Sequence, residues 1–259
     1  MTERRLIVLG CGTSVGVPMI GCHCAVCRST NPKNNRTRSS VLLKLPDGNV
    51  LVDTTPELRI QLLREQIDLV HAVLYTHYHA DHLFGLDDVR LFPRRLGGPL
   101  PLYCTEETER VIRQVFSYAF TDRAASAPPG FLPQLDFHRI DERPFSVLGE
   151  TVLPIPLKHS RFNVLGFRVA DMAYCTDVNL IPESSFDRLE GLDTLIIDAL
   201  RPSPPHISHF CLPETLAAIE RIRPKRAYLT HMAHEMDFDN PPKLPANVEF
   251  AYDGLSFAF

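Results

Sequence analysis

The pattern of hydrophobic positions divides the chain into short apolar runs, separated by polar segments that contain Gly or Pro. Runs at residues 6–9, 41–45, 50–52 and 72–75 have the length and composition of buried strands. The sequence Pro-Asp-Gly-Asn at 46–49 predicts a turn that joins two of these runs into a hairpin. Further apolar runs predict strands at 101–104, 152–157, 164–169, 172–177, 192–198 and 227–230.

Helices are predicted between several of these strands. One starts at Pro56, which suits the first helical position, and a shorter one over 86–92 ends before the next proline. Residues 106–120 have apolar side chains at helical spacing, and residues 214–222 form the last helix. Strands and helices in this order predict a single α/β domain over residues 1–259, a length that allows an ample core.

The segment 121–135 is rich in Ala and Pro and is predicted to be a loop. Because it is inserted between core elements, it could act as a lid over a site or as a surface for a partner. The sequence favours neither use. The oligomeric state also stays open, with a homodimer as one alternative.

Composition limits the classes of protein that fit. Hydrophobic residues make up 44% and charged residues 22%, which is ordinary for a soluble globular protein. The formal net charge of -4 gives no overall basic surface, so a nucleic-acid partner is not expected. No apolar stretch approaches a membrane span, and the first apolar run is far shorter than a signal-peptide core. We therefore expect a cytoplasmic protein that does not contact membranes.

The most distinctive stretch follows the apolar run at 72–75. It places His77, His79, Asp81 and His82 within six residues. Residues two apart in an extended segment point to the same side, so His77 and His79 can hold one cation together. Asp81 and His82 can face a second cation nearby. Two such ligand pairs are what a two-metal hydrolytic centre needs, and a surface loop rich in His is the simpler alternative.

The stretch Thr76-His77-Tyr78-His79-Ala80-Asp81-His82 resembles the His-x-His-x-Asp-His signature of the metallo-β-lactamase superfamily. The resemblance implies a four-layer αββα fold, in which two β-sheets face each other between outer helices and the metals lie at one edge. It also implies that Asp53, at a strand end, supports the metal loop without binding metal. The implied ligands are His77, His79 and His159 for one metal, Asp81, His82 and His231 for the other, and Asp177 as the bridge.

This implied ligand set has only nitrogen and oxygen donors, which zinc, manganese and iron all accept. Two divalent cations about 3.5–4 Å apart can hold a bridging hydroxide, align it with phosphorus and neutralise the charge that develops. We therefore expect a phosphodiesterase with two divalent ions, Zn or Mn, and with Asp81 in the catalytic set. A further group must protonate the departing alkoxide.

Seven cysteines in a chain expected to be cytosolic are predicted to be reduced or metal-bound. Cys22, Cys24 and Cys27 form Cys-x-Cys-x-x-Cys in the loop 21–27, a spacing that suits one structural zinc with a fourth ligand from elsewhere. His234, in the His-x-x-His that follows the last core strand, is the candidate. Three reduced cysteines without a metal are the alternative.

A finer resemblance concerns the same cysteines, which follow a first Gly-rich turn at 10–16 and are matched by the terminal His-x-x-His. This combination resembles the phosphoribosyl 1,2-cyclic phosphate phosphodiesterases. It implies a small cyclic phosphodiester or nucleotide-like substrate, and a His in the loop before the last core helix that contacts the phosphate or leaving group. His209 matches best, and His206 is the alternative. Arg36 and Arg38 either help to bind an anionic substrate or lie in a solvated loop.

Three other functions fit parts of the sequence. A tRNA 3′-end processing ribonuclease has a similar active site, but the acidic balance and the lack of a long basic insertion count against it. An accessory protein of quinone-cofactor biosynthesis shares a cysteine-rich zinc site. A zinc-stabilised binding protein without turnover leaves the second ligand set unexplained.

Overall fold

Strands and helices alternate along the residues that the computed structural model describes, which are 4–122 and 127–259. The strands are β1 (Arg5–Gly10), β2 (Ser40–Leu45), β3 (Gly48–Val52), β4 (Ala72–Leu74), β5 (Leu100–Cys104), β6 (Leu135–Arg139), β7 (Phe145–Val147), β8 (Glu150–His159), β9 (Phe162–Val169), β10 (Met172–Cys175), β11 (Thr194–Asp198), β12 (Arg226–Thr230), β13 (Val248–Phe250) and β14 (Ser256–Ala258). The α-helices of the same residues are α1 (Leu58–Arg64), α2 (Ala80–Leu83), α3 (Phe92–Leu96), α4 (Glu106–Val115), α5 (Glu183–Phe186) and α6 (Leu212–Ile222).

The strands form two seven-stranded mixed sheets. The first has the order β14-β1-β2-β3-β4-β5-β6, and the second has the order β13-β12-β11-β10-β9-β8-β7. Strands β3 to β6 are parallel in the first sheet, and strands β10 to β13 are parallel in the second. Because parallel strands end at the same edge, the segments that follow them in each sheet are brought side by side.

Alternation along each strand of the first sheet separates two cores. Leu6 and Val8 of β1 pack in a cluster with residues of the second sheet, such as Phe167, whereas Ile7 and Leu9 pack in another cluster with helix residues such as Leu58. Successive side chains of a strand point to opposite faces, so one face lines the sandwich interior and the other supports helices. The same alternation holds in β2, β3 and β4.

Helices cover the outer faces of both sheets. Leu62 of α1 and Ile112 of α4 belong to the cluster beside the first sheet, and Ile219 of α6 packs with the strands of the second. The layers are therefore helix, sheet, sheet, helix, and the expected αββα fold is confirmed. The single domain over 1–259 stays a prediction, which the core shared by both sheets supports.

Several boundaries differ from those predicted from the sequence. The helix expected over 86–92 is a 3-10 helix, Leu86–Leu91, and α3 follows it directly. Pro93 lies in the first turn of α3, where its missing N–H is no loss, so this proline does not end the helical segment. Helix α4 ends at Val115 instead of 120, and a 3-10 helix, Ser117–Phe120, follows. Of the loop 121–135, residues 123–126 lie outside the described residues, and Leu135 already begins β6.

Candidate metal centre

The histidines and aspartates predicted to bind metal lie at one edge of the sandwich, because each follows or ends a strand or lies in the loop after β4. The first four come from the segment after β4, with Asp81 and His82 in α2. His159 is the last residue of β8, Asp177 comes two residues after β10, and His231 directly follows β12. Both sheets therefore contribute side chains to one place.

Among the described residues, four overlapping sets of side chains at this edge offer ligand atoms within 4.8 Å of one another. Two of them contain His209, once with His159 and Asp177 and once with Asp198 and His231. The other two sets, called the two ligand groups below, contain only the ligands that the resemblance implies. They are His77, His79 and His159, and Asp81, His82, Asp177 and His231. In the first ligand group His79 is partly exposed, and all the other residues of the two groups are buried. The two groups match the division that the resemblance implied, with Asp177, the implied bridge, falling in the second group.

Asp177 lies between the two groups. Its Oδ2 is 3.1 Å from His82 Nε2, and its Oδ1 is 3.3 Å from His231 Nε2. The same Oδ1 lies 4.0 Å from His159 Nε2, in the other group. One carboxylate thus faces both groups, which is the arrangement that a bridging ligand requires.

The imidazoles are oriented by hydrogen bonds at their Nδ1 atoms. His82 Nδ1 donates to Asp53 at 2.8 Å, and His159 Nδ1 donates to the Ser208 carbonyl at 2.6 Å. Asp53 also accepts hydrogen bonds at 2.8 Å from the N–H and from the hydroxyl of Thr76, so it fixes the loop as well as the ring. Such partners leave Nε2 free to bind a cation.

The surroundings of the Nε2 atoms show whether divalent cations fit at this edge of the sandwich. The Nε2 atoms of His77, His82 and His231 are buried and make no hydrogen bond of normal geometry among the described residues, although carboxylate oxygens lie 3.1 Å from that of His82 and 3.3 Å from that of His231. A buried donor or acceptor without a partner is costly, so it requires an explanation. Imidazole nitrogens and carboxylate oxygens that converge on one place without hydrogen bonds of normal geometry are the donor set of a divalent transition-metal site.

The electrostatics of the cluster agree with that fit. Burial holds the pKa of His77 well below its usual range and lowers the pKa of His159 to about 4, so both rings are neutral, as metal ligands must be. Burial alone would lower the pKa of His231 too, but the carboxylates of Asp177 and Asp81 outweigh it and raise the pKa to about 9. The two carboxylates thus create a place that favours positive charge, which cations would supply.

Backbone conformation is unusual at three of these strand ends. Asp53, Asp177 and His231 have φ angles of 66°, 54° and 56°, in the left-handed region that non-Gly residues rarely adopt. Such strain persists only where surrounding contacts hold it, and it is common at functional sites. It turns these side chains toward the centre directly after their strands end.

His209 lies beside the same centre. Its ring is 4.5 Å from the rings of His159 and His231, and the His231 ring is stacked on it at an angle of 16°. Its Nδ1 donates to Asp198 Oδ2 at 2.8 Å. Asp198, the last residue of β11, is fully buried, and the same oxygen accepts from the Val178 N–H at 2.9 Å. The sequence offered Asp198 no role beyond ending a strand, and only its position beside His209 reveals one.

The other predicted substrate contacts are placed differently. The His206 ring is 5.3 Å from the His209 ring, at the edge of the centre, and it stays an alternative. Arg38 pairs with Glu57 and donates from Nε to the Ser14 carbonyl, so much of its guanidinium is already engaged and its substrate role stays a prediction. Arg36 is 1% exposed, so the expected solvated loop is wrong at this position.

Arg36 instead holds the segment that follows His231. Its guanidinium donates to the carbonyls of Met236 and Ala233, at 2.8 and 3.1 Å. A buried guanidinium needs such acceptors, because it can never lose its charge. Arg36 therefore supports the loop that carries His234.

The cysteine loop meets His234, which lies between the two residues whose carbonyls Arg36 contacts. The Nδ1 atom of His234 lies 3.1, 3.6 and 3.4 Å from the sulfurs of Cys22, Cys24 and Cys27. The N–H of Cys27 donates to the Cys24 sulfur, which lowers the pKa of the Cys24 thiol. Three sulfurs around one imidazole nitrogen match the donor set of a structural zinc.

Comparison with known families identifies the chain. A family described as the beta-lactamase superfamily domain matches residues 48–232. The chain belongs to this superfamily. The expected metallo-β-lactamase fold and the expected class, a metal-dependent hydrolase, are confirmed, and divalent metal ions follow from the family and from the two ligand groups.

Relatives within the superfamily have diverse names. An octanoyltransferase of Porphyromonas gingivalis is 35% identical over 255 residues, which are 97% of this chain and 51% of that protein. The chain thus spans about half the length of that curated relative. The crystal structure of a new diphosphatase from the PhnP family has a TM-score of 0.91 and 42% identity, and it covers 100% of this chain and 98% of that chain.

A more distant structure shares the fold alone. Zn²⁺-bound PqqB from Methylobacterium extorquens has a TM-score of 0.77 and 19% identity, and it covers 98% of this chain and 99% of that chain. As for membranes, no helix among residues 4–122 and 127–259 is both long and apolar enough to cross one.

Proposed function

We propose that this protein is a binuclear metal-dependent phosphodiesterase that hydrolyses a small cyclic phosphodiester or a nucleotide-like diester. The observation that carries the proposal is the pair of ligand groups between which Asp177 lies, with its carboxylate oxygens 3.1 Å from His82 Nε2 and 4.0 Å from His159 Nε2. Two cations side by side suit displacement at phosphorus, because they stabilise both the attacking and the leaving oxygen. Zinc and manganese both suit the nitrogen and oxygen donors of the two groups.

The protein's own residues would hold and orient this centre. The first cation is assigned to His77, His79 and His159, and the second to Asp81, His82 and His231, with Asp177 shared. Bound divalent cations would lower the pKa of a water molecule and neutralise charge on the phosphoryl oxygens. Asp53 positions His82, and the Ser208 carbonyl positions His159.

His209 is assigned to the leaving group. Its Nδ1–H is engaged with Asp198, so its Nε2 is the atom that can donate a hydrogen bond or a proton toward the centre. An alkoxide leaves poorly unless it is protonated, and a positioned acid typically contributes about 10²–10⁴-fold. Asp198 acts through His209, by fixing its tautomer and orientation, and is therefore a positioning residue.

The similar proteins support chemistry at phosphorus more than the alternatives. The diphosphatase of the PhnP family is similar over the whole chain at 42% identity. A tRNA-processing role has less support, because a net charge of -4 gives little attraction for a long polyanion. An accessory role in cofactor biosynthesis has weaker support, because a coenzyme PQQ synthesis protein B of Methylobacterium radiotolerans is 28% identical over only 173 residues, 60% of this chain, and the PqqB structure is 19% identical.

Octanoyl transfer has less support again. The chain matches about half of the length of the octanoyltransferase. The activity in that protein's name therefore need not belong to the half that this chain matches. Among the described residues, the two ligand groups at the sheet edge contain imidazoles and carboxylates and no thiol.

Turnover of the metal-loaded protein tests the proposal. We expect bis(p-nitrophenyl) phosphate and adenosine 2′,3′-cyclic phosphate to be hydrolysed, and precursor tRNA to remain uncut. His77→Ala should lower kcat by more than 100-fold, because acceleration by metal ions depends on that ligand. His138→Ala is the matched control, since His138 is exposed in β6 and pairs with Asp136. A wild-type protein that holds two divalent ions and cleaves no small diester would contradict the proposal.

The number of bound metal ions gives a second test. We expect three ions per chain after reconstitution, two at the sheet edge and one zinc with Cys22, Cys24, Cys27 and His234. Elemental analysis that gives one ion or none would count against both assignments. The homodimer and the cytoplasmic location stay predictions.

A further inference from the structure

The hairpin between β8 and β9 carries an aromatic residue to the edge of the proposed centre. His159 ends β8 and pairs with Phe162, which begins β9. The turn between them contains Ser160, whose φ is 55°. The Leu165 N–H, also in β9, donates to the carbonyl of Thr76 at 3.1 Å and so ties this hairpin to the metal loop. The position of Phe162 is therefore set by the same contacts that build the centre.

Phe162 lies on the open side of the site. Its ring centroid is 4.8 Å from that of His79, and the Tyr78 ring is 6.0 Å away on the same side. His79 is half-buried, whereas His77 and His159 are buried, so a substrate reaches the centre past His79. Phe162 and Tyr78 are themselves half-buried and form a wall beside that path.

A guanidinium lies over the Phe162 ring. The Arg161 Cζ atom is 5.1 Å from the ring centroid, and Arg161 is exposed at the tip of the hairpin. No carboxylate within residues 4–122 and 127–259 lies at ion-pair distance from Arg161. Because the guanidinium covers one face of the Phe162 ring, the surface offered to an anionic ligand is the exposed guanidinium plane, with the ring behind it.

We propose that this platform of Arg161, Phe162 and Tyr78 binds the base of a nucleoside phosphodiester, so that the substrate class is base-containing and not a bare sugar phosphate. Bases stack on aromatic rings and on guanidinium planes, and this contact is tolerant of base identity. A sugar ring has no π-system to stack on such a wall and can contact it only through C–H groups. The inference rests on the proposed phosphodiesterase function and narrows its substrate.

The same contacts have an ordinary explanation, which is that Phe162 merely packs against His79. The two roles differ in their consequences. Packing alone would affect every substrate equally, because His79 serves them all. A stacking platform affects only substrates that carry a base, and it does so mainly through KM.

The test compares two cyclic diesters that differ only in the base, adenosine 2′,3′-cyclic phosphate and methyl riboside 2,3-cyclic phosphate. We expect kcat/KM of the wild type to favour the adenosine compound by about 5- to 150-fold, the range that stacking of one base supplies. Adenosine 3′-monophosphate should likewise bind more tightly than ribose 3-phosphate in calorimetry. The control Arg143→Gln removes an exposed arginine that contacts Asp141, and it should leave the preference unchanged.

Phe162→Leu and Arg161→Gln should each reduce this preference, with Phe162→Leu bringing it close to 1. Arg161→Gln changes an exposed hairpin tip and does not depend on the packing of His79. Equal rates of the wild type on both diesters would overturn the inference and leave the proposed function intact. Variants that lower both rates equally would overturn it in favour of packing. Failure of the wild type on every small diester would overturn the inference together with the proposed function.

Discussion

Replacing Asp198 with Asn tests the part of the centre that only the structure revealed. Asp198 Oδ2 accepts hydrogen bonds from His209 Nδ1 and from the Val178 N–H, whereas its buried Oδ1 has no partner among the described residues. An Asn can keep its oxygen at the Oδ2 position only by placing its NH₂ group where Oδ1 lies. The change therefore removes the charge and buries a donor without an acceptor.

The size of the effect follows from these contacts. A hydrogen bond to a charged group contributes about 1.5–3 kcal/mol, and about 1.4 kcal/mol corresponds to a tenfold change in rate. If Asp198 acts by holding His209, Asp198→Asn should lower kcat by about 10- to 150-fold for a diester with an alkoxide leaving group. The unpartnered amide should also lower the free energy of unfolding by about 1–3 kcal/mol.

The assay compares leaving groups. A nitrophenolate leaves without protonation, so Asp198→Asn should lower kcat much less for a nitrophenyl diester than for an alkyl diester. Metal content should not change, because His209 and Asp198 are not among the assigned ligands. Urea unfolding of the same preparation gives the loss of stability and shows that the variant is folded.

The double variant supplies the decisive comparison. If Asp198 acts only through His209, then Asp198→Asn combined with His209→Ala should be as slow as His209→Ala alone. Multiplication of the two losses would refute the reasoning, as would a normal rate of Asp198→Asn on the alkyl diester. Equal losses of His209→Ala on both diesters would assign His209 to phosphate binding instead of proton donation.

Three further predictions concern stability. Cys24→Ser should release one zinc and lower the midpoint of thermal unfolding, because structural zinc contributes directly to folding. A variant that stays stable but has no turnover would show that this site takes part in the mechanism. Asp53→Ala removes the acceptor of three buried hydrogen bonds. Urea titrations should therefore show a loss of about 3–5 kcal/mol in the free energy of unfolding. A loss below about 1 kcal/mol would contradict the supporting role of Asp53. Burial alone would raise the pKa of Glu109, but hydrogen bonds from Arg139 and Arg113 outweigh it and lower the pKa. Because the pKa of Glu109 in the folded protein lies below its unfolded value of about 4.3, ionised Glu109 stabilises the fold at pH values above about 4.3. This stabilisation is lost as the pH falls through the folded pKa. Glu109→Gln should therefore cost about 1 kcal/mol at pH 7 and almost nothing near pH 3; an equal cost at both pH values would disprove this explanation.

Local sequence patterns were sufficient to predict a single α/β domain and the first four candidate ligands, whereas the αββα layers and the remaining ligands came from the resemblance to the superfamily. His77 and His79 lie in the loop after β4 and His82 lies in α2, so their spacing relative to the apolar run was enough to indicate two neighbouring ligand pairs. His159 and His231 could be named only through the resemblance to the superfamily, because a single His at or after a strand carries no metal signal of its own. The structure brings all of them together, and their binding of metal stays a proposal.

Long-range contacts determine what the sequence left open. Asp198 ends an apolar strand in the same way as a solvated acid would, and its contact with His209 depends on how β11 lies beside the loop after it. The burial of Arg36 depends on carbonyls about 200 positions away. The edge strands β6 and β7 were missed because their exposed positions give little hydrophobic signal.

The ligands of the proposed centre come from both sheets, and this has a consequence for how the protein is made. Those after β4 are synthesised early, whereas His231 comes 154 positions after His77. A nascent chain cannot complete the centre until both halves of the sandwich face each other. Cations that bind only when both sheets are in place would then stabilise the folded protein by mass action, because their ligands come from both sheets. Cellular metal supply would thus influence how much folded protein accumulates, as well as how fast it works.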